Sequence, residues 1–155
     1  MRKLLHILTL AALAFLVWTT YAALYGPDRL TGRIPTHFGT DGQPNASGEP
    51  KMLLLLPCVA LFLYLMMTLV GRFPNAFNYP VRVTAQNRPR LQNIAENMIA
   101  WLTLETVSLF AALQYFIVQA IRTQHNALPP AFMILAIVVI FFTIAIHIAA
   151  LRRAA

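Results

Sequence analysis

Four apolar runs, roughly Leu4 to Tyr25, Met52 to Val70, Met98 to Ile121 and Pro130 to Leu151, constrain this 155-residue chain more than any other feature. Each is close to the ~20 residues a helix needs to cross ~30 Å of hydrocarbon. Hydrophobic residues make up 59% of the sequence and charged residues 11%, and a soluble domain of this size could not hide four such segments. Inside lipid every backbone amide must be paired within the spanning structure, which leaves helices or a closed barrel. Barrel strands would alternate, whereas Leu53 to Leu56 and Ile137 to Ile140 are apolar on every side. The sequence therefore predicts an all-α membrane protein, with four transmembrane helices in an antiparallel bundle. It forms a single integral domain over 1–155, with an outer loop at 26–51 and a cytoplasmic loop at 71–97.

The net charge of +7 could suggest nucleic acid, but its placement argues otherwise. Arg2 and Lys3 precede the first span, Arg72, Arg82, Arg88 and Arg90 follow the second, and Arg152 and Arg153 follow the fourth. The remaining intervals hold only Arg29, Arg33, Lys51 and Arg122, offset by Asp28, Asp41 and Glu49. This is the positive-inside bias, and it predicts an inner-membrane, multi-pass protein with both termini cytoplasmic. A nucleic-acid surface would need the charges on one contiguous face, and a bilayer scatters them, so no nucleic-acid partner is expected.

Met1-Arg2-Lys3 before an apolar stretch also fits a secretory leader cut near Ala22 or Ala23. The run reaches about 20 residues, however, and ends in Trp18, Tyr21 and Tyr25, an aromatic belt suited to a retained anchor. Cys58 is the sole cysteine, so no intramolecular disulfide can form, and it is expected to pack as a small hydrophobe.

The interval Gly26 to Lys51 holds five of the six glycines and four prolines. Arg33 to Phe38 has extended character, and Asp41-Gly42 is a turn dipeptide suited to positive φ. The expectation is a two-stranded ribbon of about five residues per arm. An isolated hairpin is marginal in water, so the ribbon should rest on helix ends or headgroups. Ser47 is placed to cap the second helix, with Glu49 and Pro50 in its first turn. Pro57 should bend that helix near Leu53. The third helix should begin near Pro89, in water, and reach about Arg122. The short link from His125 to Pro129 then forces the third and fourth helices to pack antiparallel.

No glycine-rich phosphate loop, paired cysteines, His-Glu-x-x-His or Gly-x-Ser-x-Gly occurs, so the residues predict no enzyme, cofactor or metal centre. His37 shares the outer loop with Asp28, Asp41 and Glu49, but zinc needs three or four converging ligands, and a loop-stabilising histidine is expected. Glu105 is the sharper anomaly, lying about 12 Å below the inner surface by helical rise. An ionisable group at such depth costs about 2.5–3.5 kcal/mol on insertion scales and is paired or functional. Ser108 and Ala112 follow on one small-residue stripe. The expected role is a protonated acid hydrogen-bonding across the bundle, and the rival is a proton or ion relay. On the fourth helix Thr143 matches Glu105 in depth, and His147 lies a turn nearer the cytoplasm as an interfacial anchor.

Ile34-Pro35-Thr36-His37-Phe38 followed by Asp41-Gly42-Gln43-Pro44 resembles the signature of a bacterial membrane family of unknown function. That family's domain also forms the N-terminal part of SdpI-type immunity proteins, which protect cells from a secreted peptide toxin. Asn78-Tyr79-Pro80-Val81, with Thr84 and Asn87, looks like the segment after the family's second span. The chain departs from the family in lacking a Trp-Gly-Ser-Lys-like closure of the outer loop, where it has Asn45 to Lys51. The resemblance implies a binding role for the outer loop toward an envelope peptide or membrane-protein partner. The alternative is a small transport component with Glu105 in a proton or ion path. Four spans would enclose such a path only as a homo-oligomer.

Overall fold

The computed structural model describes residues 1–40, 42–123 and 129–154. Its elements are α1 (Arg2–Tyr25), β1 (Ile34–Phe38), β2 (Pro44–Gly48), α2 (Leu55–Val70), α3 (Arg88–Thr123) and α4 (Pro130–Arg152), and a 3-10 turn over Pro50–Leu54 leads into α2. Among the described residues, four helices are long and apolar enough to cross a membrane. Large apolar side chains such as Phe62, Leu135, Phe141 and Phe142 point outward, more than half exposed. Among the described residues the strands β1 and β2 form one small antiparallel sheet.

Helix α3 is the axis of the bundle, and α1, α2 and α4 all pack on it. It is 36 residues long, about 54 Å at 1.5 Å per residue, so it outreaches the other three. The α1 face toward it buries Leu5, Thr9, Leu16, Thr20 and Ala23, spaced at the three- and four-residue steps of one helical stripe. Opposite lie Ala100, Thr103, Val107, Ala111, Gln114 and Val118. Alanine and threonine let two backbones approach closely where no hydrophobic drive separates helix from lipid. The small residues at this seam are Ala100, Thr103 and Ala111, whereas Ser108 and Ala112, expected to form the packing stripe, are only half-buried.

Two polar ties fix the α1–α3 register. Arg2 forms an ion pair with Glu96. Gln114 Nε2 donates to Thr20 Oγ1 at 2.9 Å across a sequence separation of 94, the same offset as the ion pair. The ties are eighteen residues, or five full turns, apart along each helix, about 27 Å. The helices therefore run parallel, in register, pinned near both ends.

The chain turns at each end for local reasons. At Gly26 a Cβ would lie 2.5 Å from the Ala22 carbonyl oxygen, so only glycine closes α1 in this geometry. Pro27 then blocks its continuation. Helix α2 starts behind the 3-10 turn because Pro57 has no N–H to return to the Leu53 carbonyl. Gln114 Nε2 donates to that carbonyl at 3.3 Å instead. Beside Leu53, where a bend was expected, the chain changes from 3-10 to α-helix.

Two expectations need correction. Ser47 does not cap the second helix. It lies in β2, where its Oγ accepts from Arg33 Nε at 3.1 Å and its carbonyl from Arg33 Nη2 at 2.6 Å. The residue before the 3-10 turn is Glu49, with no side-chain cap, while Pro50 takes the first-turn position as expected. Cys58 is exposed on the outside of α2 and does not pack in the interior. A helix with so few inward positions leaves most of its side chains facing outward.

Candidate functional site

At the ribbon end, α2 and α4 each lean on α3 and make little contact with each other, which leaves a cleft between them. The ribbon partly roofs this cleft, and the half-open space beneath it is about 600 Å³. Leu113 and Ile117 of α3 form the floor, Leu55 and Leu56 one wall, and Met133 and Ile134 the other. The roof is Ile34 to Phe38 with Gly39, Thr40 and Gly42. The surroundings are apolar except at the roof, where Thr36, His37 and Thr40 supply polar groups. A concave, apolar space with a few polar groups at one edge suits the apolar part of an amphipathic ligand.

The outer-loop motif builds this roof. Ile34 is 1% exposed and joins Ala23, Leu53, Ile117 and Val118 in one cluster, with Phe38 packed against it. Burial of these two side chains seats the ribbon on the helix ends. The arms pair Ile34 with Gly48, Pro35 with Ser47, His37 with Ala46 and Phe38 with Pro44, with irregularities on either side of His37. His37 Nδ1 meets Asn45 Oδ1 across the arms at 2.5 Å, which is a loop-stabilising role. Among the described residues no three histidine, cysteine or carboxylate groups converge on a metal position. The loop closes through Gly39 N–H to the Gln43 carbonyl at 2.8 Å and Gly42 N–H to the Gly39 carbonyl at 3.0 Å. Gly42 sits at φ +76, the left-handed conformation expected of it. Asp41 lies outside the described residues, and Pro44 is at the start of β2 rather than at the cavity.

The intramembrane polar residues meet as their depths suggested. Thr143 Oγ1 of α4 donates to Glu105 Oε1 of α3 at 2.5 Å. His147 Nδ1, one turn further along, donates to the Thr143 carbonyl at 2.8 Å. Glu105 Oε2 is buried with no hydrogen-bond partner among the described residues. Phe116 and Phe132, with ring centroids 4.9 Å apart, join the same two helices nearer the ribbon. Since higher positions on α3 meet lower ones on α4, the pair is antiparallel. The link expected to force this, residues 124–128, lies outside the described residues.

The second motif has a structural task at the opposite end. Tyr79 donates its hydroxyl to the Pro74 carbonyl at 2.9 Å. Its ring and Val81 pack on the cluster of Leu91, Leu151 and Ala154, tying the 71–87 connection to the ends of α3 and α4. Burial raises the Tyr79 phenol above its ordinary pKa, with the Arg88 charge pulling the other way. Asn78 and Pro80 are exposed. Thr84 and Asn87 cap α3 reciprocally: Thr84 N–H donates to Asn87 Oδ1 at 2.8 Å, and Asn87 N–H to Thr84 Oγ1 at 3.2 Å.

Gln114 is the residue the sequence reading missed. It is fully buried, bonds to two other elements, and keeps Oε1 without a partner among the described residues. The available signal was an amide inside the third apolar run, the reasoning applied to Glu105. The Arg2–Glu96 pair was hidden because its partners lie in different polar intervals. The cavity itself has no sequence signature.

No family model matches the chain, and no solved structure matches it. It is 32% identical over 152 residues to an uncharacterized protein of Archaeoglobus fulgidus, a match that covers 89% of this chain and 80% of the relative. At that identity and coverage the chain belongs to the same family as the archaeal protein.

Proposed function

We propose that this member of the archaeal protein's family is a non-enzymatic, multi-pass protein of the plasma (inner) membrane, with both termini cytoplasmic. In this reading it takes the apolar segment of an amphipathic envelope peptide into the cavity beneath its outer ribbon. The observation that carries the reading is that Ile34 to Phe38 and Gly42, the core of the outer-loop motif, line one apolar space of about 600 Å³. The motif's resemblance to SdpI-type immunity proteins supports a peptide as the occupant. The distribution of eight basic residues on the side of the termini supports the orientation. A second reading, transport through an oligomer, draws on Glu105 Oε2, sealed in the bundle without a partner among the described residues.

The test uses the full chain in right-side-out vesicles and an amphipathic peptide bearing a photoreactive apolar side chain. Labelling should fall on the ribbon and on the Leu113–Ile117 floor, and only with peptide added outside. Leu56→Trp and Met133→Trp, which narrow the cleft from opposite walls, should each reduce labelling about tenfold. That corresponds to about 1.4 kcal/mol of lost binding. Labelling that both variants leave unchanged, or that a free fatty acid displaces as well as unlabelled peptide does, would overturn the peptide reading.

A further inference from the structure

The arginine end of the bundle holds a second, smaller cavity of about 170 Å³ between α1, α2 and α3. Its chemistry is the reverse of the first. Arg2 and His6 reach it from the first turns of α1, Thr68 and Arg72 from the end of α2, and Glu96 and Thr103 from α3. Glu96 is already committed to Arg2, which holds that guanidinium at the cavity wall. Arg72 has no ion-pair partner among the described residues, so the wall carries a surplus of positive charge.

Thr68 supplies an independent observation. Thr9, Thr20 and Thr103 return their hydroxyls to the carbonyl one turn back, at Leu5, Leu16 and Ile99, and Thr143 gives its hydroxyl to Glu105. Thr68 does neither. Its Oγ1 is sealed from solvent and has no hydrogen-bond partner among the described residues. A buried hydroxyl left unpaired costs about 1–3 kcal/mol, and Thr68 lies in the wall of this cavity. The Arg72 guanidinium, the His6 imidazole and the N–H groups of Arg2 not taken by Glu96 are the donors of an oxyanion site, with the Glu96 carboxylate in the same wall already neutralised by Arg2. The volume is more than ten times the ~10–15 Å³ that admits a single water, which leaves room for a tetrahedral group.

The depth points the same way. The apolar run of α1 begins at Leu4 and that of α2 ends at Val70, so Arg2 and Arg72 flank the hydrocarbon boundary. Lipid phosphates lie at that level, and basic pockets between helices on this side of a membrane hold anionic headgroups.

We infer that the Arg2–His6–Thr68–Arg72 pocket binds one phosphate group, carried by an anionic lipid headgroup or as the free anion. This site is separate from the ribbon cavity; it rests on the membrane orientation proposed above and not on peptide binding.

The experiment follows retained lipid by native mass spectrometry on the full chain in detergent. Phosphatidylglycerol, phosphatidylcholine and inorganic phosphate are supplied in separate arms. Phosphatidylglycerol should be retained about tenfold better than phosphatidylcholine. Arg72→Gln should weaken its retention about fivefold to tenfold, as the loss of roughly one near-surface charge implies. Thr68→Val, which keeps shape and removes only the hydroxyl, should weaken it severalfold. Arg153→Gln, a loss of charge at the same end outside the pocket, should leave retention unchanged. Displacement of the lipid by millimolar inorganic phosphate would identify a site that also takes the free anion. Retention insensitive to phosphate would assign the headgroup as the source. If Arg72→Gln and Thr68→Val retain lipid like the unmodified protein, or Arg153→Gln weakens retention as much as Arg72→Gln, the pocket is not the site and the inference fails.

Discussion

Helix α3 is bound to α1 and to α4 in contrasting ways. Toward α1 it presents a seam of small residues closed by the Gln114–Thr20 bond and the Arg2–Glu96 pair, 27 Å apart by helical rise (about; eighteen residues). Toward α4 it relies on fewer contacts: the Glu105–Thr143 bond, the Phe116–Phe132 rings and the Leu91–Leu151 cluster. Helix α4 is correspondingly little buried. Where small residues bring backbones together, dispersion over the whole length fixes the geometry, and polar groups add register. Where side chains are bulky and face outward, the Glu105–Thr143 bond supplies much of the orientation. The difference also explains the cavity: a loosely held α4 stands away from α2 and leaves the cleft that the ribbon partly roofs.

The strongest way to break this comparison is at Gln114. Gln114→Leu nearly preserves volume but removes the bond to Thr20 and the one that serves the Leu53 carbonyl behind Pro57. The carbonyl then loses the donor that Pro57 cannot provide, and the expected cost is about 1–3 kcal/mol of stability. Steric-trapping or denaturant titration in bicelles would measure it. A neutral Gln114→Leu would mean that the amide merely tolerates its site and that small-residue packing alone sets the seam. Labelling of the ribbon cavity should also change in this variant, because Leu53 belongs to both the amide's bond set and the cavity wall.

Much of this architecture was legible in the chain. Apolar run length gave α1, α2 and α4 to within a few residues, whereas α3 begins at Arg88, ten residues before its apolar run. Gly42 marked the ribbon's turn because few other residues adopt its φ. Glu105 and Thr143 were matched by depth, since helical rise converts residue number into height. Rotational arrangement was not legible. Helices that are apolar on all sides carry no stripe to show which face turns inward, so Cys58 was placed inside and the small-residue stripe was assigned to Ser108 and Ala112. Both cavities arise from the angles at which helices lean, a property of the whole bundle. Ser47 misled because serine before a proline-led helix looks like a cap, yet Arg33 claims it across the ribbon.

Glu105 tests the second seam at a smaller scale. Glu105→Ala deletes the acceptor for Thr143 and should cost about 1 kcal/mol, in line with modest polar contacts between membrane helices. Glu105→Gln retains an oxygen for Thr143, so stability and peptide labelling should both survive. If Glu105→Ala costs more than Gln114→Leu, the ranking of the two seams is wrong. If Glu105→Gln inserts and folds but loses biological activity, the carboxyl must gain and lose a proton, and the transport reading gains over the binding one.

The smallest effect is expected where the 71–87 connection meets the end of the weaker seam. Tyr79→Phe removes the bond to the Pro74 carbonyl and leaves the ring packed on Leu91 and Leu151, so the cost should be about 0.5–1 kcal/mol. The phenol also gives this contact a pH dependence of known sign. Burial raises its folded-state pKa, so the unfolded chain ionises first as pH climbs. Stability from Tyr79 is then undiminished at neutral pH and is lost upward from about pH 10, the unfolded value. Arg88 opposes the shift and narrows that window. The informative quantity is the difference between unmodified protein and Tyr79→Phe across pH 9 to 11. The gap in stability should shrink as the pH rises, because the unmodified protein loses what the variant never had. A gap that widens would mean that Arg88 outweighs burial at the phenol. The connection would then be held to the bundle by charge, and the weaker seam would end in an electrostatic anchor instead of an apolar one.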